Sequence, residues 1–196
     1  MQSQVAGYLE QLRATIDTLP RDRLAEMGEM LFRAYRNEKQ VFTVGNGGSA
    51  STASHMAADL GKNTIGPNMR RFRILSLNDN AAIVTALAND IGYEHIFSEQ
   101  LVNLIQPGDL LVAISGSGNS PNVVRAMTYA REQCAEVVAV LGFDGGLAAG
   151  LADLAVIVPI DHYGIVEDAH QACMHLLAQY VRQSRMTPDA VAANTF

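Results

Sequence analysis

The stretch "VGNGGSASTASHMAADL", Val44 to Leu60, follows the apolar run "QVFTV" and packs three glycines, four small hydroxyl residues, a histidine and an aspartate into seventeen positions. A short apolar run, a glycine-rich turn and then a helix-forming segment is the opening of a βα unit. Its glycines let backbone N–H groups turn toward a ligand with no Cβ in the way. His55 and Asp59 are four residues apart on the helix that the loop opens, so they share a face near whatever the loop cradles.

Working outward, five apolar runs read as strands: "VFTV" (41–44), "FRILSL" (72–77), "LLVAIS" (110–115), "VVAVLG" (137–142) and "LAVIVP" (154–159). Near-continuous apolar strands are expected where a parallel sheet is covered on both faces, and helical stretches lie between most of them. The expectation is an α/β fold, a doubly wound, five-stranded parallel sheet in a three-layer α-β-α sandwich. Two amphipathic helices precede it, one placing Val5, Leu9, Leu12 and Ile16 at helical spacing and one placing Leu24, Met27, Leu31 and Tyr35. Pro20 separates them. A last helix, roughly 165–183, closes the chain, and the tail after Ser184 reads as frayed. There is no internal repeat or linker, so one domain spans 1–196: a helical pair over 1–37 expected to serve oligomerisation, an α/β core over 38–184 and a tail over 185–196.

The 196 residues suffice for one substantial core, and 48% of them are hydrophobic. A net charge of −6 offers no general field for nucleic acid or an anionic membrane. Cys134 and Cys173 sit in apolar segments and read as buried free thiols in a reducing compartment. No run reaches membrane-spanning length and no signal-peptide core is present, so a cytoplasmic location is expected.

Ligands of such sheets bind beyond the carboxyl ends of the strands. A second small-residue loop lies there, "SGSGNSPNVV", Ser115 to Val124. Ser120-Pro121 reads as an N-cap followed by proline at the first helical position, where free N–H groups and the helix dipole favour an anion. Ser117, Asn119 and Ser120 can donate to it. Neither loop carries Lys or Arg, which suits a phosphate monoester held by hydroxyls and amides. Two competing readings are weaker. "GNGGSA" fits a dinucleotide fingerprint with Asp79 on a ribose, but leaves the second loop without a task. "ISGSG" has no G-x-S-x-G nucleophile elbow. Glu167, Asp168, His170 and His175 interrupt the last helix, and burying them is costly unless they are paired, bound to metal or wet. Two histidines and two carboxylates suit zinc or a similar divalent ion.

"GNGGSAS", "ISGSGNSPNVVRA", "LGFDGG" and the two-histidine helix together resemble the SIS (sugar isomerase) family of phosphosugar-binding domains, on its sedoheptulose 7-phosphate isomerase branch. The resemblance covers nearly the whole chain. It implies a flavodoxin-like fold, a homotetramer with sites between subunits, and aldose–ketose isomerisation of a phosphosugar for heptose biosynthesis. It places substrate binding on Asn46, Gly47, Ser49, Asn89, Asp90, Ser115, Ser117, Asn119 and Ser120. It makes Asp59 the base and His175 its acid partner, and implies a divalent metal, zinc in some members, on His55, Asp59, Glu167 and His175. Here Asp59 stands where the family has glutamate, Glu167 where it has glutamine and Gly116 where it has threonine. The segment "DHYGIV" is shorter than usual and lacks an aspartate. The family also includes a non-catalytic member that binds a replication initiator. A regulatory binding module is therefore the alternative, disfavoured by the retained histidines and the carboxylate at the base position.

Overall fold

A computed structural model describes residues 1–65, 70–187, 189 and 191. The chain runs α1 (Gln2–Asp17), α2 (Arg21–Arg36), β1 (Val41–Val44), α3 (Gly48–Ala58), a π-helical turn (Asp59–Asn63), β2 (Ile74–Ser76), α4 (Ala81–Asp90), a 3-10 turn (Tyr93–His95), α5 (Ser98–Leu104), β3 (Leu110–Ser115), α6 (Pro121–Glu132), β4 (Glu136–Gly142), α7 (Gly146–Leu151), β5 (Leu154–Val158) and α8 (Tyr163–Gln183). The five strands are all parallel, in the order β2-β1-β3-β4-β5. Their alternation sorts the core into two layers. Leu110, Val112 and Ile114 of β3 face α2, α3 and α8, among Leu24, Met27, Leu31, Met56, Met174 and Leu177. Leu111 and Ala113 face the other side, with Leu101 of α5 and Val123, Ala126 and Met127 of α6. This is the expected three-layer sandwich, and each fully buried leucine in it is worth about 1.5–3 kcal/mol of hydrophobic stabilisation.

The strand order reverses direction between β1 and β3, which pair from Val41↔Leu110 to Val44↔Ala113. The chain leaves β1 toward α3 on one face and leaves β3 toward α6 on the other. The two small-residue loops therefore flank the switch point of the sheet, where such folds open a crevice.

Two details depart from the expectations, at β2 and at Cys134, and two more bear on the chain's ends. β2 spans three residues rather than six, because it is an edge strand whose ladder with β1 ends at Thr43↔Ser76. Cys173 is buried, but Cys134 is exposed. It occupies the turn between α6 and β4 with φ +58, so its apolar neighbours bury the flanking strand rather than the thiol. The apolar stripe of α1 is covered only at its C-terminal end, where Ile16 packs on the core; among the described residues nothing buries Val5, 50% exposed, or Leu9, 59% exposed. Of the expected frayed tail, residues 188, 190 and 192–196 lie outside those described. No helix among the described residues is long and apolar enough to cross a membrane.

Candidate active site

The first loop makes its turn at Gly47, with φ +54 and ψ −122, a conformation an L side chain resists. Nothing lies within 4 Å of the position a Cβ would take there, so the backbone at the start of α3 is open to a ligand. The second loop ends with Ser120 as N-cap of α6 and Pro121 at its first position, and the Ser120 hydroxyl makes no capping bond. A pair of asparagines joins the two loops. Asn46 Nδ2 donates to Asn122 Oδ1, and Asn122 Nδ2 donates back to Asn46 Oδ1, both at 2.8 Å. Asn122 is buried in the first turn of α6 and its Oδ1 also accepts from the Val123 N–H. Tyr93 Oη adds a third bond to Asn46 Oδ1 at 2.9 Å. A reciprocal amide pair of this kind fixes the spacing of both loops without using their N–H groups or serine hydroxyls.

Within the second loop, the Gly118 N–H donates to Ser115 Oγ (3.1 Å) and the Asn119 N–H to Ser117 Oγ (3.3 Å). Asn119 Oδ1 accepts from the Leu147 N–H, tying the loop to α7. Tyr163, the first residue of α8, covers Gly116. A Cβ on Gly116 would meet the tyrosine ring at 3.0 Å, and that ring stands edge-on to Phe143 with centroids 4.8 Å apart.

Helix α8 runs alongside α3. Tyr163, Glu167, Gln171 and His175 recur every four residues along it, forming one row that climbs away from the loops. Next to Glu167 lies Gly48, where a Cβ would fall 2.3 Å from the carboxylate carbon. Only glycine lets the two helices approach this closely. Further along stand His55 and Asp59 of α3 and its π-turn, opposite His175. His55 Nε2 lies 3.5 Å from Asp59 Oδ1, and His175 Nε2 lies 3.8 Å from Asp59 Oδ2. The imidazole rings are edge-on at 4.9 Å. Asn63 Nδ2 donates to Asp59 Oδ1 at 2.8 Å across the π-turn, a helical irregularity that often accompanies functional sites. The Asp59 side chain is 17% exposed and those of the histidines nearly half, so the carboxylate forms the floor and the imidazoles the walls.

These three residues form a group whose ligand atoms all lie within 4.8 Å of one another. Ligands on a tetrahedral zinc are about 3.3 Å apart, given bonds of ~2.0–2.1 Å, so the spacing suits a small divalent ion after slight contraction. A cavity of about 270 Å³ opens over the group, with Asn63, Gln179 and Arg182 on its walls. Larger clefts lie elsewhere, and one of about 380 Å³ between α5 and α6 brings a single histidine, His95, near Glu99 and Glu132. One of about 530 Å³ sits at the amino ends of β4 and β5, and one of about 630 Å³ sits beside the β2 edge. Neither of these last two holds a histidine, and none of the three pairs two histidines with a carboxylate.

A family model described as "SIS domain" matches residues 5–142. The chain belongs to the SIS domain family. A phosphoheptose isomerase of Pelobacter propionicus is 34% identical over 187 residues, covering 94% of this chain and 98% of that protein. One of Chlorobaculum parvum is 37% identical over 178 residues, covering 89% and 84%. The solved phosphoheptose isomerase of Neisseria gonorrhoeae superposes with a TM-score of 0.87 at 28% identity over 93% of this chain and 98% of its own. That of Francisella tularensis gives 0.86 at 25% identity over the same shares.

In this SIS domain the expected site residues fall into three sets. Asn46, Gly47, Ser115, Ser117, Asn119 and Ser120 lie together on the joined loops, and Ser49 is buried behind them against Gly45. His55, Asp59 and His175 meet at the other end of the α3–α8 groove. Glu167, expected on the same metal, is held apart: its carboxylate rests on Gly48, and two helical turns, about 12 Å of rise, separate it from His175. Asn89 and Asp90 are exposed at the end of α4, where Asn89 donates to Asp90 at 2.7 Å. Asp168 accepts from Tyr8 of α1 (2.6 Å) and raises that phenol's pKa, so it serves the helix junction. His170 is fully buried with no well-formed hydrogen bond at either ring nitrogen, and burial pushes its pKa down to about 4 against a weaker opposing pull from the Leu141 backbone. Asp79, the ribose partner of the dinucleotide reading, accepts from Ser54. Asn122, Tyr163 and Gln171 were not anticipated. A polar residue two positions after an N-cap, and glutamine in register with Glu167 and His175, were the signals available for the first and last.

Proposed function

We propose that this chain isomerises sedoheptulose 7-phosphate to a D-glycero-heptose 7-phosphate, in the cytoplasm, for heptose biosynthesis. The observation that carries the reading is the convergence of Asp59 with His55 and His175 at one end of a groove whose other end is an anion clamp free of Lys and Arg. From Gly48 to His55 the groove rises seven residues, about 10 Å. The seven bonds from C2 of an extended heptulose phosphate to its phosphorus span about 8 Å, and a pentulose phosphate is two bonds shorter. A seven-carbon sugar thus matches the groove better.

The clamp binds the phosphate through the α6 N-terminus and the hydroxyls of Ser117 and Ser120, far from the reacting carbons. Its binding energy positions C1 and C2. Asp59 takes the proton from C1 and returns it to C2. His175, beside Asp59, delivers a proton to O2 and recovers one from O1, which balances the isomerisation through an enediol. Asn63 holds the Asp59 carboxylate in its reactive orientation. A divalent ion, which we take to be zinc, would be held by His55, Asp59 and His175 and would supply Lewis-acid polarisation of the carbonyl. Glu167, midway along the row, faces the hydroxyls of the sugar's middle carbons.

The uncovered stripe of Val5 and Leu9 supports an assembly in which α1 packs against another copy, as in a homotetramer with sites shared between subunits. The regulatory-module alternative has no use for a base beside an imidazole. Turnover of sedoheptulose 7-phosphate by the purified chain is the test, with Asp59→Asn as control. Conversion by wild type with loss in the variant supports the reading, and absence of conversion by metal-loaded wild type ends it.

A further inference from the structure

Gln171 occupies a position in the cluster that no other described residue shares. Its Nε2 lies 2.9 Å from His55 Nδ1 and 3.0 Å from His175 Nε2, so two imidazole nitrogens converge on one amide atom. It sits one turn before His175 in the α8 row, on the side facing α3 and the nearly buried Asp59. Half-turn rotation of a carboxamide about its last bond exchanges nitrogen for oxygen at nearly the same point. The amide oxygen then lies at the distance from His175 Nε2 that separates neighbouring ligands on a small divalent ion.

We propose that Gln171 supplies the fourth ligand of the metal set through its amide oxygen, and that Glu167 of the same chain does not. In the metal-free chain the amide donates both N–H groups to the histidines and holds their lone pairs pointing inward. With a cation present, the amide turns and its oxygen replaces those two hydrogen bonds with one bond to the ion. Glu167 stays against Gly48, a contact that a longer residue at 48 would forbid. The charge count favours this set. Two neutral imidazoles, one carboxylate and one amide leave a divalent ion with a net positive charge, which makes it a stronger Lewis acid than a set with two carboxylates.

The inference rests on reading the cluster as a metal site, and it does not need the isomerase reaction. The full-length chain, stripped with chelator, is titrated with Co²⁺ in the absence of sugar, following visible absorption and bound metal. Gln171→Leu and the too-short Gln171→Asn should each weaken binding at least tenfold and alter the cobalt bands. Gln171→Glu keeps an oxygen at the same reach and should bind at least as tightly as wild type. Glu167→Gln should leave affinity unchanged. Equal melting temperatures of the stripped proteins separate ligand loss from misfolding. Unchanged or tighter binding by Gln171→Leu, a loss confined to Glu167→Gln, or no Co²⁺ binding by wild type overturns the proposal. Cobalt binding that follows this pattern without sugar turnover would instead defeat the isomerase reading and leave this one standing.

Discussion

The two ends of the α3–α8 groove are built from different materials. At the loop end, Gly47, Ser117 and Ser120 present backbone N–H groups and hydroxyls on turns that the Asn46–Asn122 pair locks together. At the helix end, Asp59, His55, Gln171 and His175 project from two packed helices, and a π-turn sets the aim of the carboxylate. Binding an anion that keeps its charge throughout needs many weak donors in a preformed cradle. Moving a proton needs a few groups placed to within tenths of an ångström, which regular helices hold better than loops. The difference divides the labour: the clamp should govern affinity and the cluster should govern rate.

The largest effect that can break this division is at Asp59. Asp59→Asn is nearly isosteric, keeps the Asn63 contact within reach and removes the proposed base. It should lower kcat by 10²- to 10⁴-fold while phosphosugar binding, read by calorimetry, changes little. A variant that loses binding instead would put Asp59 on the affinity side of the comparison.

A second test uses two kinds of histidine in the α3–α8 pair. His55 and His175 are half-exposed, whereas His170 is buried with its pKa pushed down to about 4 by desolvation. The unfolded chain takes up a proton near pH 6.5 that the folded chain refuses until about pH 4. Stability should therefore be full above pH 6.5 and fall as the pH drops through that window, by about 3 kcal/mol in all. Denaturant titrations should show that slope in wild type, and in His170→Leu it should be largely gone. A slope that persists in the variant would assign the acid sensitivity to other groups.

Most of the architecture could be read from residues alone, because it follows from burial. Continuous apolar runs on both faces fixed five parallel strands, and two of them, β1 and β3, match their runs to the residue. The loops were legible for a related reason: glycine and Ser-Pro have few uses other than turns and caps. The helix end was legible only in part. The spacing of His55 and Asp59 puts them on one face, but nothing local to α8 says which of Glu167, Asp168, His170, Gln171 and His175 points toward α3. That depends on how two helices cross and on Gly48 admitting Glu167, which are tertiary facts. Val5 and Leu9 show the opposite failure, since their periodicity is real while no described residue buries them.

At the clamp the expected effects are smaller. Ser120→Ala leaves Pro121 and the helix start intact and removes one donor to a charged phosphate. It should raise KM about tenfold at unchanged kcat, the amount expected for one charge-assisted hydrogen bond. A fall in kcat of similar size would show that the clamp also serves the chemistry.

The smallest effect concerns Gly116 and Tyr163, which the structure shows to be one feature. The ring of Tyr163, 58% exposed, stands where a side chain at 116 would project. Gly116→Thr must therefore displace the ring and disturb the loop beside Ser115 and Ser117, raising KM a few-fold, because only the far end of a side chain has to move. Tyr163→Gly alone opens the same space and lets the loop lose its cover. Combining the two puts a small side chain into the space the ring vacates, so the double variant should recover most of the KM lost by Gly116→Thr. Contacting residues are expected to be non-additive in this way. Simple addition of the two losses would mean that the ring and the glycine are neighbours without being coupled, and that the clamp tolerates either residue at 116 regardless of what begins α8.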